Sequence, residues 1–192
     1  VPDTSENEIE VNSSGTDIER DDLVYSVNEW DNYAVEEAIQ IRDRVGGSVT
    51  VMTVGDDESE EILRREMAMG ADNGILLSDD AFEAADGRGV ASILKAAVDM
   101  LDAPYASLVN VIETIDDTKI KVGREIAGGN QEMNEMDLPC VLSIQTGINE
   151  PRYVGIRGIR KVASVEIPQH GAADLGVDAA SVGAAGARVK RL

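Results

Sequence analysis

Cysteine and histidine each occur once in 192 residues, as Cys140 and His170. A single cysteine cannot close an internal disulfide or build a cysteine metal site. A single histidine puts the usual zinc ligand sets and histidine-based triads out of reach. No apolar run approaches the roughly 20 residues that a membrane-spanning helix needs. There is no initiator Met, and residues 1–22 are polar and acidic, unlike a signal peptide or transit sequence; the chain reads as a fragment or a processed product. Basic residues are scarce as well. Seventeen Lys and Arg against 37 Asp and Glu leave a formal net charge of −20. A surface this acidic repels phosphate backbones, which argues against general nucleic-acid binding. It suits a protein that stays soluble in concentrated salt, where the Debye length shrinks to about 3 Å at 1 M. Low Lys, one Phe and abundant Ala, Gly, Val and Asp lean towards that halophilic reading and away from an acidic mesophilic one.

What is present suffices for one domain with a core: 43% of residues are apolar and 28% charged. Residues 1–22 suggest a small polar hairpin, with Ile9 to Val11 and Ile18 flanking an Asn12-Ser13-Ser14-Gly15 turn. Apolar positions at a 3.6-residue period predict a helix over 32–45, ended by Gly46-Gly47. The β-branched run 48–54, stopped by Gly55, suits a strand buried on both faces. A helix over 59–69, a strand over 74–77 and a helical region from Asp79-Asp80 to about Met100 follow. This alternation means α/β with right-handed crossovers. The second half predicts strands at 106–115, 119–126, 131–136 and 139–145, with Gly128-Gly129 as a hairpin turn. Beyond Gly147 the sequence reads as irregular, with a basic loop over 152–161. Residues 171–192 read as an extended Ala- and Gly-rich arm on a domain of residues 1–170.

Three segments together resemble the beta (small) subunit of electron transfer flavoproteins. Asn28-Glu29-Trp30-Asp31-Asn32-Tyr33-Ala34-Val35-Glu36-Glu37-Ala38 is similar to the family's N-P-F-(D/C)-E-x-A-(V/L)-E-E-A. Arg64-Arg65-Glu66-Met67-Ala68-Met69-Gly70-Ala71-Asp72 resembles L-R-x-A-L-A-M-G-A-D. Arg124-Glu125-Ile126-Ala127-Gly128-Gly129, Leu138-Pro139 and Asn149-Glu150-Pro151-Arg152-Tyr153 resemble R-E-x-(D/E)-G-G, L-P-x-V and N-E-P-R-Y. Asp174-Leu175-Gly176-Val177-Asp178 matches a D-L-G-V-D near the family's C-terminus. The resemblance implies a doubly wound, mostly parallel α/β sheet of the adenine-nucleotide alpha-hydrolase-like kind, with an added antiparallel hairpin and an extended C-terminal arm. Two departures stand out. The family has an apolar first strand before the segment that Val1-Pro2-Asp3-Thr4 resembles. It also has a strand and a phosphate-wrapping loop of about two dozen residues, one strand-loop-helix piece, where Val98 here passes almost directly to Leu101. Loss of two central strands would expose the core of such a sheet, which favours omission over true loss.

For chemistry, the residues offer no nucleophile–base pair. Cys140 reads as a small buried hydrophobe, His170 as an exposed loop residue and the acids as solvated surface. Trp30 stands behind Asn28 at a helix entry. Free N–H groups at a helix start bind anions, and an aromatic can flank a ring; the plainer reading is a Trp that anchors the helix in the core. The resemblance implies an AMP pocket formed by Asn28, Glu29, Trp30, Asp31 and Val54. Arg152, Arg157, Arg160 and Lys161 alternate with Val154, Ile156 and Ile159, either as a docking loop for an acidic partner or as a strand edge with solvated arginines. The resemblance implies docking, with Ile156 as the apolar anchor and Arg157 and Arg160 as its guides. It further implies a cytoplasmic electron carrier without side-chain catalysis, paired with an alpha subunit that holds FAD. Electrons would come from acyl-CoA dehydrogenase-type flavoenzymes of fatty acid beta-oxidation and leave to a membrane quinone oxidoreductase. A bifurcating form with a second FAD in place of AMP, and a regulatory adenine-nucleotide-binding domain without flavin, stand as alternatives.

Overall fold

The β-branched run before Gly55 and the apolar run after Asp72 pair as buried parallel strands should. In the computed structural model, which describes residues 3, 5–15, 18–19, 23–98 and 104–189, β1 (Thr50–Val54) and β2 (Asn73–Leu77) align from Thr50 opposite Asn73 to Val54 opposite Leu77. Helix α1 (Glu29–Val45) leads into β1, and α2 (Ser59–Met69) makes the crossover. Alternation along the strands splits the core in two. Val51 and Leu76 pack with Ile39, Leu63 and Met67, whereas Leu77 packs with Phe82 and Ile93 on the other face. The helical region predicted from Asp79 divides into a 3-10 turn (Asp80–Phe82) and α3 (Gly87–Val98); Met100 lies outside the described residues. A short strand the sequence did not suggest, β7 (Gln169–His170), adds to β2 in parallel. His170 is therefore a half-buried strand residue and not an exposed loop residue.

A second sheet holds β3 (Tyr105–Ile115), β4 (Lys119–Ile126), β5 (Asn130–Asp137) and β6 (Val141–Ile144). Its order is β5-β4-β3-β6, antiparallel except for β6, which runs parallel to β3. Gly128-Gly129 closes the predicted hairpin. Val109, Ile120, Val122 and Met136 form its core, and Cys140 lies half-buried against it, its thiol raised by loss of water. The single doubly wound sheet expected from the sequence is thus two sheets among the described residues. Each ends in a parallel strand, β1 or β6, with no described neighbour on its outer side.

Two other expectations are corrected. The basic stretch is not a loop: Ile156–Val162 forms helix α4, packed on α2. Gly158 makes that contact possible, because a Cβ there would overlap the Ala68 carbonyl. Residues 171–189 are not an extended arm. Helix α5 (Ala172–Leu175), a 3-10 turn (Ala179–Ser181) and α6 (Gly183–Gly186) fold back and bury Ala172 and Val182 against Leu77, Phe82 and Ile93. Small residues there serve close approach: a Cβ on Gly183 would meet the Ala81 carbonyl. Near the N-terminus, Val11 and Ile18 bridge antiparallel across the predicted turn. No helix among the described residues is long and apolar enough to cross a membrane.

Candidate functional site

In open α/β sheets ligands bind outside the carboxyl ends of the strands. Here β1 and β2 end beside the starts of α1, α2 and the 3-10 turn. A cavity of about 310 Å³ at this place is lined by Asn28, Asp31, Val54, Asp56 and Ile62 among others. It adjoins one of about 630 Å³, through shared Tyr25, Val54 and Asp56, that extends over Asp79, Asp80 and Glu83. Of the five residues predicted for a nucleotide pocket, Asn28, Asp31 and Val54 therefore share one cavity. Glu29 lines a larger groove of about 900 Å³ with Tyr33, Arg65, Tyr153 and Ile159, which adjoins the first cavity through shared Tyr25 and Ile62. Trp30 is half-exposed, so it does not anchor α1 in the core, and its indole N–H donates to Gln145 Oε1 at 3.2 Å. It ties the start of α1 to the end of β6.

The helix starts facing this crevice are closed by the chain's own acceptors. Asn28 Oδ1 accepts from Trp30 N–H at 3.3 Å, and the N–H groups of Asp31 and Asn32 donate to the Asn28 carbonyl. Asp56 Oδ1 accepts from Ser59 N–H at 3.2 Å. Asp79 accepts from Ala81 N–H and Ala172 N–H, each at 2.9 Å; these two bonds hold its carboxyl below the usual range. Loss of water raises the carboxyl of Asp31. Asp31, Asp56, Glu58, Asp79, Asp80 and Glu83 line the two cavities, and no Lys, Arg or His among the described residues does. Tyr25, Val54 and Ile62 offer aromatic and apolar walls of a size for a purine ring. Among the described residues, the N–H groups of Trp30, Ser59, Ala81 and Ala172 are bonded to the chain's own oxygens.

The other predicted site sits on α4. Ile156 is 69% exposed, Ile159 52% and Tyr153 92%, and Arg157, Arg160 and Lys161 are exposed beside them. Arg152 does not belong to this patch. It binds Glu36 through Nε at 2.7 Å and Nη2 at 2.9 Å, while Asn149 Nδ2 donates to the Tyr33 carbonyl and to Glu37 Oε2, each at 3.0 Å. Glu36 and Glu37 are buried. Burial alone would raise the Glu36 carboxyl, but the bonds from Arg152 and Gln40 outweigh it and hold it low. Arg64 reaches from α2 to the Val162 and Val165 carbonyls at the end of α4. The segments quoted from α1, α2 and residues 149–153 thus meet in one layer and carry α4 outward. The acids of this clamp were missed as solvated surface, although Glu36 lies between Val35 and Ile39 on a periodic helix face.

Glu66, on α2, is also buried, with neither carboxylate oxygen bonded. Loss of water raises it to about 7, nearby Asp31 adds to the rise, and Arg65 opposes it. It stands where the resembled segment has Ala.

Comparison with known proteins agrees with the quoted segments. The model of the electron transfer flavoprotein domain matches residues 16–100 and 99–175. The electron transfer flavoprotein subunit beta of Methylophilus methylotrophus is 35% identical over 219 positions, covering 97% of this chain and 83% of that protein. That of Thermoanaerobacterium thermosaccharolyticum is 33% identical, covering 99% and 82%. Protein FixA of Azotobacter vinelandii is 28% identical, covering 93% and 74%. Since 97% of 192 residues is about 186, about 33 of the 219 positions shared with the Methylophilus protein face no residue here. The two stretches of the family match meet at residues 99–100.

Proposed function

The chain belongs to the electron transfer flavoprotein family, among its beta subunits, and we propose that it is the small subunit of a heterodimer whose alpha subunit holds FAD. The flavin supplies the redox chemistry when bound. This chain buttresses the partner, presents a purine-sized crevice at the ends of β1 and β2 as its share of the adenine-nucleotide site, and displays α4 to electron donors. Flavoenzymes of the acyl-CoA dehydrogenase type are the proposed donors, and a membrane quinone oxidoreductase the acceptor.

The observation that carries this reading is the joint between α1, α2 and α4. Arg152 and Asn149 bind Glu36, Glu37 and the Tyr33 carbonyl, Arg64 binds the Val162 carbonyl, and together they fix a short helix whose outer face is apolar and cationic in a chain of net charge −20. Such a face docks an acidic partner, with a central apolar anchor contributing most of the affinity and rim charges the encounter rate. The test is stopped-flow electron transfer from the dehydrogenase to the co-expressed heterodimer. Ile156→Ala should weaken transfer by tenfold or more, as loss of about 2 kcal/mol at a central anchor implies, with flavin content and melting unchanged. Neutralising Arg157 and Arg160 should slow association, and less so at high salt. An Ile156→Ala heterodimer that melts early yet transfers normally would overturn the docking role.

A further inference from the structure

Glu66 stands one helical turn behind the crevice at the carboxyl ends of β1 and β2. It follows Ile62 by four residues on the same face of α2, and Ile62 lines the crevice. From α1, Asp31 acts on it through its charge, and Asp31 lines the crevice as well. Glu66 itself is 5% exposed, and neither of its oxygens has a partner among the described residues. An enclosed carboxylate without a donor is costly, so the group holds a proton where a solvated carboxyl would have lost it. The elements packed around it supply no neutralising partner. Strands β1 and β2 carry no ionisable side chain. Glu36 and Glu37 of α1 are turned to Arg152 and Asn149, and Arg64 to Glu60 and the end of α4. The cations of α4, Arg157, Arg160 and Lys161, are exposed. Arg65, beside it on α2, favours the charged form, and Asp31 opposes it.

We infer that nucleotide binding in this crevice is proton-linked through Glu66, whose carboxyl takes up a proton from solvent as the anionic nucleotide enters. This rests on the reading of the crevice as an adenine-nucleotide site. A phosphate monoester carries close to two negative charges above pH 7. At a separation of about 10 Å, and a dielectric between those of water and a protein surface, their repulsion raises a carboxyl by about one pH unit. Burial has already raised this one to about 7, so the further rise falls where the protein works. By linkage, uptake of about half a proton per nucleotide near pH 7.5 makes binding about threefold weaker for each pH unit gained. The resembled segment has Ala at this position, so the linkage belongs to this chain and not to the family pattern.

Isothermal titration calorimetry tests the inference. AMP is added to the purified heterodimer, stripped of nucleotide, from about pH 6.5 to about pH 8.5 in buffers of different ionisation enthalpy. Wild type should take up about half a proton per AMP near pH 7.5 and lose affinity about threefold per pH unit. Glu66→Gln keeps the shape without the charge, and should lose that share of the uptake and bind with a flatter pH profile. Glu66→Ala should do the same, so that a folding defect in one variant leaves the other to decide. Adenosine, which brings no phosphate charge, should bind wild type with far smaller uptake. Equal uptake in wild type and variants, or uptake as large with adenosine as with AMP, would overturn the inference and leave the adenine site standing. AMP bound by none of the three proteins at any pH would overturn the adenine reading together with the inference. In that outcome a flavin-containing heterodimer that accepts electrons still supports the carrier function.

Discussion

Replacing Glu66 by Gln keeps the shape of the side chain and removes only its charge, so the variant resembles wild type with this carboxyl protonated. Glu66 is 5% exposed, both its oxygens lack partners, and its carboxyl is raised from the ordinary 4.5 to about 7 by burial. Between those two pH values the native state holds a proton that the unfolded chain has released. Stability therefore falls as pH rises through the window and stays at the lower value above it. At about 1.4 kcal/mol per pH unit, the full cost of charging Glu66 in place is about 3 kcal/mol. For a chain of this size about 1 kcal/mol moves the melting temperature by about 2–4 °C. Glu66→Gln should thus melt close to wild type near pH 5 and about 6–12 °C above it near pH 8. Calorimetry of both heterodimers across that range is the assay. Parallel profiles would refute the reasoning, because they would mean that Glu66 is hydrated or paired in the native protein.

Arg152→Ala leaves the buried Glu36 carboxylate without its bidentate partner, and should cost about 3 kcal/mol or more in urea unfolding; a loss below about 1 kcal/mol would show that water enters to replace the guanidinium. Self-repulsion at net charge −20 should make the melting temperature climb steadily from low to molar KCl as screening grows, and a flat or falling trend would remove the halophilic reading. Expressed without an alpha subunit, the chain should aggregate through the uncovered edges of β1 and β6, and with one it should co-purify one-to-one. A cooperative, soluble monomer would contradict that expectation.

Periodicity carried the first half of the fold well, because burial on a regular element imprints itself on sequence. The helix over 59–69 and the strand over 119–126 were legible to the residue. Elements defined by a neighbour were not. Strand β7 has two residues and exists only because β2 offers an edge, and α4 has seven residues around a glycine that no propensity rule would place in a helix. The Ala- and Gly-rich tail carries no periodic apolar signal, yet it packs because its smallness admits the backbone of the 3-10 turn. The break in the parallel sheet was legible only through the resemblance, which placed about two dozen residues there, fewer than the about 33 positions of the Methylophilus alignment that face no residue in this chain.

The site was harder to read because acidic residues look alike in sequence and act differently in place. Composition assigned 37 of them to one role, a solvated surface that sets solubility. Position on α1 makes Glu36 and Glu37 a buried clamp for Arg152 and Asn149. Position just before a helix or turn makes Asp56 and Asp79 caps for the amides of Ser59 and Ala81. Position on the inward side of α2 leaves Glu66 with no partner at all. These placements share a cause: a carboxylate is stable wherever an N–H or guanidinium reaches it, and costly where none does. The same acidity that should keep the chain soluble in salt therefore also builds the clamp beneath α4, and it places one titrating carboxyl inside that helix layer.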